Sequence, residues 1–522
     1  MFYREMIDQM VERHGDRVAV IDRRRPEGVT HNDLDRSSNA IVAGLMDSGL
    51  KKGDKIALFM GNCHHYREMF WVAGKGGFVL IPVSGRLAPR EVLHIINDSE
   101  AKCLVISKEL ADVVSQIKDN FTHVDRFYSV DPGLEGYTCL GDLRDQYPSD
   151  PHEVPLTGDD LLWFQYTSGT TGLPKGAMLT HRTAGAYVDI GYNAIQDIIH
   201  FGSDTRVLQV LPSYSFSAIG FDIMYQWIGA LTVIMESFNP TEMMALTDKH
   251  RITDIHIVPV ILNFLLHSPD FGKYDLSSLT CISYGAAPMP PELLRQGMEN
   301  IGPIFMQDYG ASEAGVLTVL DIKDHVLDGP PEKVARLASC GKPLPGVSVK
   351  VLNEAEKEVK PGEIGELTTK GDMVMRGYWK MPEETARTLK DGRFFTGDLC
   401  TVDAEGYIFI KDRKKDMIIS GGFNVYPYEV ETVLQEHPAI VDAAVFGIPD
   451  EKWGEAVCAQ VVLGKGMRAD EEEILRFMKQ NLADYKKPRK IEFVSKIPRT
   501  PTGKILKREL RAKYWEGQER KV

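Results

Sequence analysis

The feature that most constrains this chain is a rhythm running from about residue 30 to residue 285. Short apolar runs there alternate with segments of helical spacing. The runs 55–60, 78–83 and 103–107 are almost wholly apolar, and the pattern returns at 206–210, 231–235, 254–258 and 279–284. Between such runs, the stretch 30–48 places Ile41, Val42, Leu45 and Met46 at helical spacing. Strands apolar on both faces must be covered on both, and intervening helices supply the crossovers that parallel pairing needs. The expectation is an α/β fold with buried parallel sheet. No internal repeat or low-complexity tract interrupts it, and 522 residues predict two to four units.

The pattern changes after about residue 347. From 348 to 411 the chain reads as short strands joined by glycine turns such as Lys360-Pro-Gly362 and Asp403-Ala-Glu-Gly406. A charged junction, Arg413-Lys-Lys-Asp416, then opens a segment with its own hydrophobic pattern: an amphipathic helix at 427–434 and strands near 441–446 and 457–462. The predicted organisation is a large N-terminal domain, 1–412, built of α/β sheet subdomains plus a β-rich subdomain, the junction 413–416, and a small α+β C-terminal domain, 417–522.

Composition narrows the function classes. A chain 43% hydrophobic and 26% charged fits a globular protein with a large core, and its net charge of −13 argues against general nucleic-acid binding. Seven dispersed cysteines with no CxxC pair suggest reduced thiols and a cytoplasmic location. The N-terminus has no apolar signal region, and no run of about 18 apolar residues exists to span a membrane. A homodimer and a peripheral membrane contact remain compatible with this reading. His64-His65 has no metal-ligand spacing and is expected at the surface.

The most informative segment is Tyr166-Thr-Ser-Gly-Thr-Thr-Gly-Leu-Pro-Lys175. The hydroxyls of Thr167, Ser168, Thr170 and Thr171, the freedom of Gly169 and Gly172, and the charge of Lys175 together make a phosphate cradle. It is not a Walker A loop, because Lys175 follows Pro174 and precedes Gly176. From Lys486 onward, 13 Lys/Arg stand against four Asp/Glu. That basic tail reads either as a partner for a phosphorylated small molecule or the acidic main body, or as a solvated helix.

The cradle resembles the phosphate-loop signature of the adenylate-forming superfamily, in its acyl-CoA synthetase and acid–CoA ligase branch, and the family's other signatures follow in order. Gly285-Ala286-Ala287-Pro288 resembles the segment lying against adenine and the acyl group. Gln307-Asp308-Tyr309-Gly310-Ala311-Ser312-Glu313 is similar to QxYGxTE, with Ser312 for threonine. Thr396-Gly-Asp398 resembles the ribose-binding turn, Arg413-Lys-Lys-Asp416 the hinge, and Pro501-Thr-Gly-Lys504 the catalytic lysine loop. Together they span about residues 20–510.

The resemblance implies that Asp398 binds a ribose diol, Tyr309 stacks on adenine, and Arg413 contacts ribose or phosphate. Asp308, Gly310 and Ser312 belong to the same nucleotide site. It implies Thr167 and Glu313 as Mg²⁺ contacts, Lys504 as the catalytic ammonium and Lys415 as the pivot of a mobile small domain. Ser420-Gly421-Gly422-Phe423 resembles the segment lining a pantetheine channel, so ATP, Mg²⁺ and coenzyme A are expected. The implied reaction joins an acid to the α-phosphate of ATP as an acyl-adenylate, then transfers the acyl group to a thiol. The rival outcomes are transfer to a carrier-protein thiol, oxidation as in luciferases, or a non-catalytic nucleotide-binding relative.

By the same resemblance the acyl pocket consists of Tyr214, Ser217, Phe221, Val258, Phe264, Tyr284, Gly285 and Met306. This mostly apolar wall implies a fatty, aromatic or alicyclic acid. Ser215 stands where many relatives have histidine or an aromatic residue. The position that would hold an amino acid's ammonium falls near Phe216, with Asp222 the nearest acid.

Overall fold

The computed structural model describes residues 1–167, 174–287, 289–421, 423–450, 452–500 and 503–516. Among them, four sheets organise the chain. An eight-stranded sheet carries Lys55–Phe59 between Val79–Pro82 and Ala101–Ile106, all parallel. A nine-stranded sheet has Asp254–Ile257, Cys281–Tyr284 and Phe305–Ala311 as parallel neighbours. Ile56, Leu58, Ile255 and Ile282 are buried, as strands covered on both faces must be. The helix His65–Gly76 is buried along its whole length, and its Met69, Trp71 and Val72 join the largest core cluster.

His64 and His65 at the start of that helix correct the surface expectation, since both are buried. His64 Nδ1 lies 2.8 Å from Asp22 Oδ2, and His65 Nδ1 lies 2.6 Å from Glu68 Oε2. Burial alone would raise the Asp22 carboxyl, but the hydrogen bonds and charge of His64 outweigh it and hold the group at about 2. A polar pair enters the core here because each ring meets a carboxylate.

The β-rich part is an antiparallel sheet in which Arg393–Val402 pairs with Gly365–Lys370 on one side and Ile408–Arg413 on the other. Thr396-Gly-Asp398, expected as a turn, lies inside the long strand. Its turn-like glycine is a local kink, with Gly397 at φ +74°. The last sheet contains Ile418–Ser420, Phe423–Val425, Ile440–Asp450, Gly454–Leu463 and Lys490–Phe493, covered by Pro427–Gln435 and Glu471–Asn481. Part of the basic tail folds back as the helix Lys507–Ala512: Lys507 Nζ is 2.9 Å from Glu431 and Arg511 is 2.9 Å from Asp416. No helix among the described residues is long and apolar enough to cross a membrane.

Candidate active site

A cleft of about 2810 Å³ is lined from the nine-stranded sheet, the β-rich sheet and the small C-terminal part. Tyr309, Glu313, Asp398, Arg413, Lys415 and Lys504 all line it. Sequence separation is erased by strand pairing: Asp398 and Arg413 are register partners on neighbouring strands. The Asp398 side chain is buried, accepting a hydrogen bond from the Tyr309 hydroxyl at one oxygen and facing Arg413 Nε at 2.5 Å with the other. Its backbone is fixed as well, since Asp398 N donates to Thr396 Oγ1 at 3.1 Å and Thr396 Oγ1 donates to Leu367 O at 2.8 Å. The Asp398 charge raises the Arg413 pKa further, while burial and then Asp398 push the Tyr309 phenol well above its ordinary value. A carboxylate held this way presents fixed acceptors to a diol.

Glu313 sits in the turn between Phe305–Ala311 and Gly315–Leu320 rather than at a helix start. Its Oε1 accepts from Tyr378 OH at 3.0 Å and from Thr167 Oγ1 at 3.3 Å. Thr167 and Lys175 are register partners on the antiparallel strands Leu161–Thr167 and Lys175–Thr180, at the two ends of the stretch whose sequence suggests a phosphate cradle. Ser168, Gly169, Thr170, Thr171 and Gly172 lie outside the described residues, as do Pro288 and Gly422. Lys175 is nearly buried and ion-paired with Glu384, which also faces Arg387 at 3.5 Å. Tyr378 and Glu384 were missed at the sequence level. Neither falls in a recognisable motif, and only folding brings them here.

Lys504 projects into the cleft, its backbone N–H donating to Thr500 Oγ1 at 3.0 Å. Its side chain is exposed at the cleft surface. Desolvation and then Arg413 lower its pKa, opposed by Asp398 and Glu313. Lys415 is likewise lowered, chiefly by desolvation. Nearby, burial raises the Asp412 carboxyl to about 6, although it accepts hydrogen bonds from Tyr428 N at 2.8 Å and Arg413 N at 2.7 Å.

Of the expected acyl wall, Tyr214, Ser217, Phe221 and Val258 line the cleft. The other four are corrections. Phe264 is 52% exposed and packs on Phe238, because the helix Pro259–Leu266 turns it away from the cavity. Tyr284 is fully buried beneath the sheet, its hydroxyl 2.9 Å from His325 Nε2. Met306 belongs to a core cluster with Phe221 and Tyr225. Gly285 does not line the cavity either: a Cβ there would stand 2.6 Å from Asp308 O. Ala286 and Ala287, beside it, do line the cleft, and so do Asp308, Gly310 and Ser312.

Ser215 has a local task, because its hydroxyl accepts from Ala218 N at 3.3 Å and caps the helix Phe216–Trp227. Asp222 is engaged by Arg67 and Gln226 and does not line the cleft, which removes it as an ammonium partner there. Ser420 and Phe423 pair across a hairpin on the small part. Ser420 is buried, Phe423 is 56% exposed against Tyr485, and Gly421 faces Trp453. None of these three lines the cleft in this arrangement.

A large cleft lined jointly by the main part and a small lysine-bearing part, with Asp398 fixed between Tyr309 and Arg413, is the arrangement of an adenylate-forming enzyme. The chain belongs to the AMP-binding enzyme family: that family's model matches residues 7–379, and the model of the AMP-binding enzyme C-terminal domain matches residues 429–504. It is 36% identical to a feruloyl-CoA synthase of Amycolatopsis sp over 93% of this chain and 94% of that protein. It is 35% identical to the fatty acid–[acyl-carrier-protein] ligase ScoC of Streptomyces coeruleorubidus, over 95% and 93%. The fold superposes on ATP-bound MatB from Rhodopseudomonas palustris with a TM-score of 0.88 at 28% identity, covering 99% of this chain and 100% of MatB. Against apo MatB, with the same identity and coverage, the TM-score is 0.76.

Proposed function

We propose that this enzyme is an ATP- and Mg²⁺-dependent acid–CoA ligase working in two half-reactions. The observation that carries the reading is the convergence of Lys504, Asp398, Tyr309 and Glu313 on one cleft from three separate stretches of chain. Asp398 and Arg413 orient the ribose, and Tyr309 covers the base. Thr167 and Lys175 flank the phosphates, with Lys175 exchanging Glu384 for a phosphate oxygen. Glu313 and Thr167, one carboxylate beside a hydroxyl, would hold Mg²⁺, since both offer the oxygen donors that this hard cation prefers. Bound there, the ion would neutralise phosphate charge during transfer.

Lys504 stands where a carboxylate approaches the α-phosphate, and its ammonium stabilises the charge that develops between them. The acid's oxygen bonds to that phosphorus and pyrophosphate leaves, taking the electron pair of the broken P–O bond. A thiolate then attacks the activated carbonyl and AMP departs. The hairpin of Ser420, Gly421 and Phe423 faces away from the cleft now, so the thiol step requires the small part, 417–522, to turn about the hinge 413–416. The better match to the ATP-bound than to the apo form of MatB supports reading the present arrangement as the adenylating one.

Seven free cysteines, six of them buried, support a cytoplasmic location. The test is a panel of aliphatic and aromatic acids with ATP, Mg²⁺ and CoA, following AMP and pyrophosphate together. CoA-dependent AMP release is expected. Pyrophosphate exchange without turnover on CoA would instead favour transfer to a carrier protein, the reading that the likeness to ScoC keeps in view.

A further inference from the structure

Lys504 is carried on the stretch between the strand Lys490–Phe493 and the helix Lys507–Ala512. Two apolar anchors hold the base of that stretch: Ile497 and Leu510 pack with Ala444 and Phe446 of the strand Ile440–Asp450. Asp442 alternates with Ala444 and Phe446 along the strand, so it lies on the same face. Closer to the lysine, Arg499 and Ile505 face each other as an isolated antiparallel bridge, and Thr500 N donates to Lys504 O at 2.7 Å.

Arg499 ties this stretch to the sheet a second time. Its Nη2 donates to Asp442 Oδ1 at 2.6 Å, and its Nη1 donates to Gly503 O at 2.7 Å. The Gly503 carbonyl shares a peptide group with Lys504 N, which in turn donates to Thr500 Oγ1 at 3.0 Å. The peptide in front of Lys504 is therefore held at both its oxygen and its nitrogen. Gly503 stands at φ +85°, in a region where glycine meets little steric restraint of its own, so those bonds are what fix it. Asp442, Arg499, Gly503 and Lys504 all line the cleft.

As a source of folding stability the Asp442–Arg499 pair is weak. Arg499 is 35% exposed and Asp442 25%, and ion pairs near the surface contribute little once screening and side-chain ordering are counted. As a brace it is well made. A guanidinium is a planar fork with fixed directions, so one arginine sets the distance between a carboxylate and a carbonyl. A lysine would present one nitrogen where the arginine presents two. Precision matters here, because a misplacement of about 1 Å at a reacting group can cost about 10²-fold in rate. All three side chains belong to the small part, so the brace travels with Lys504 whenever that part turns.

We propose that Arg499 and Asp442 are positioning residues for the adenylating half-reaction, setting the place of Lys504 through the Gly503 carbonyl. The inference rests on the role given to Lys504 above and extends it to two residues that act through the lysine rather than on the substrates.

The test measures the two half-reactions separately in the full-length enzyme. It uses octanoate or benzoate, whichever the parent turns over faster, and the preformed acyl-AMP of that acid. At saturating ATP, Arg499→Ala should slow adenylate formation ~10–100-fold and leave thioester formation from acyl-AMP and CoA within about 3-fold. Asp442→Ala should resemble it. Arg499→Lys keeps a donor and Asp442→Asn keeps an acceptor, so each should retain part of the rate. The Lys504→Ala background gives the readout that a merely structural role would not: there Arg499→Ala should add less than about 2-fold, because the group it positions is gone. Tm should move by no more than about 3 °C in each variant. Equal losses in both half-reactions, or an Arg499→Ala enzyme as fast as the parent, would overturn the proposal. So would a full further loss in the Lys504→Ala background, since Arg499 would then act on the substrates directly. A Lys504→Ala enzyme with unchanged adenylate formation would instead remove the role of Lys504 beneath the proposal, and the proposal with it.

Discussion

Lys504 is the clearest case of a residue whose setting defines its work. Its ammonium feels Arg413 and Lys415 on one side and Asp398 and Glu313 on the other, so its position relative to the phosphates depends on how the small part is seated. Lys504→Ala should slow adenylate formation about 10²–10³-fold, the usual loss when one transition-state donor goes. Thioester formation from preformed acyl-AMP should change less than about 10-fold. Stopped-flow measurement of the two half-reactions separates the cases, and equal losses would contradict the assigned role.

A second residue, Asp254, carries a stability signature away from the proposed chemistry. It is buried with Oδ1 unpartnered, and burial raises its carboxyl from 3.8 to about 7. The folded state thus keeps a proton that the unfolded chain releases, so the contribution is full below about pH 4 and lost as pH rises through 7. Asp254→Asn should therefore gain on the parent between pH 5 and pH 8, by roughly 2–4 kcal/mol. Thermal unfolding at both pH values measures this, and parallel Tm curves would refute it.

Among elements, the hairpin of Phe305–Ala311 and Gly315–Leu320 does most to place the site, holding Tyr309 on a strand and Glu313 in the turn. Gly310 makes the hairpin possible, because a Cβ there would stand 2.1 Å from Gly315 O. Gly310→Ala should push the strands apart, at a cost of about 3 kcal/mol or more, and displace Glu313. A variant with unchanged Tm and full adenylation would show that the hairpin yields without consequence. At this scale much was legible. The run at 55–60 became a strand, as its short length and nearly continuous apolar character between polar segments suggest for a strand covered on both faces. Helical phase was not legible. In Pro259–Leu266 nothing local says that Val260 borders the cleft and Phe264 faces solvent, since nearly every position is apolar. His64 and His65 failed for the opposite reason: their polarity is answered by Asp22, far back in the sequence, and by Glu68.

The whole molecule is poised by a few polar contacts at the junction. Arg413 binds Asp398, Lys414 Nζ lies 3.1 Å from Glu366, and Asp416 is 2.9 Å from Arg511. The first two hold the junction to the large part and the third holds it to the small part, so the turn proposed about 413–416 changes how exposed the junction is. Tryptic cleavage after Arg413, Lys414 or Lys415 should therefore slow with ATP and acid and quicken once CoA is added. Identical rates in all three states would argue for a rigid molecule. The sequence by itself determined the alternation of strands and helices, the order of the chemical motifs and the change of pattern near the junction, because these rest on local periodicity and on residue types that few other purposes require. The tertiary structure alone decided that Tyr309 and Arg413 meet on Asp398, that Glu384 holds Lys175, and that His256 reaches Ser283 on the next strand. Contacts between strands depend on sheet order and register, which a single chain's local pattern does not encode.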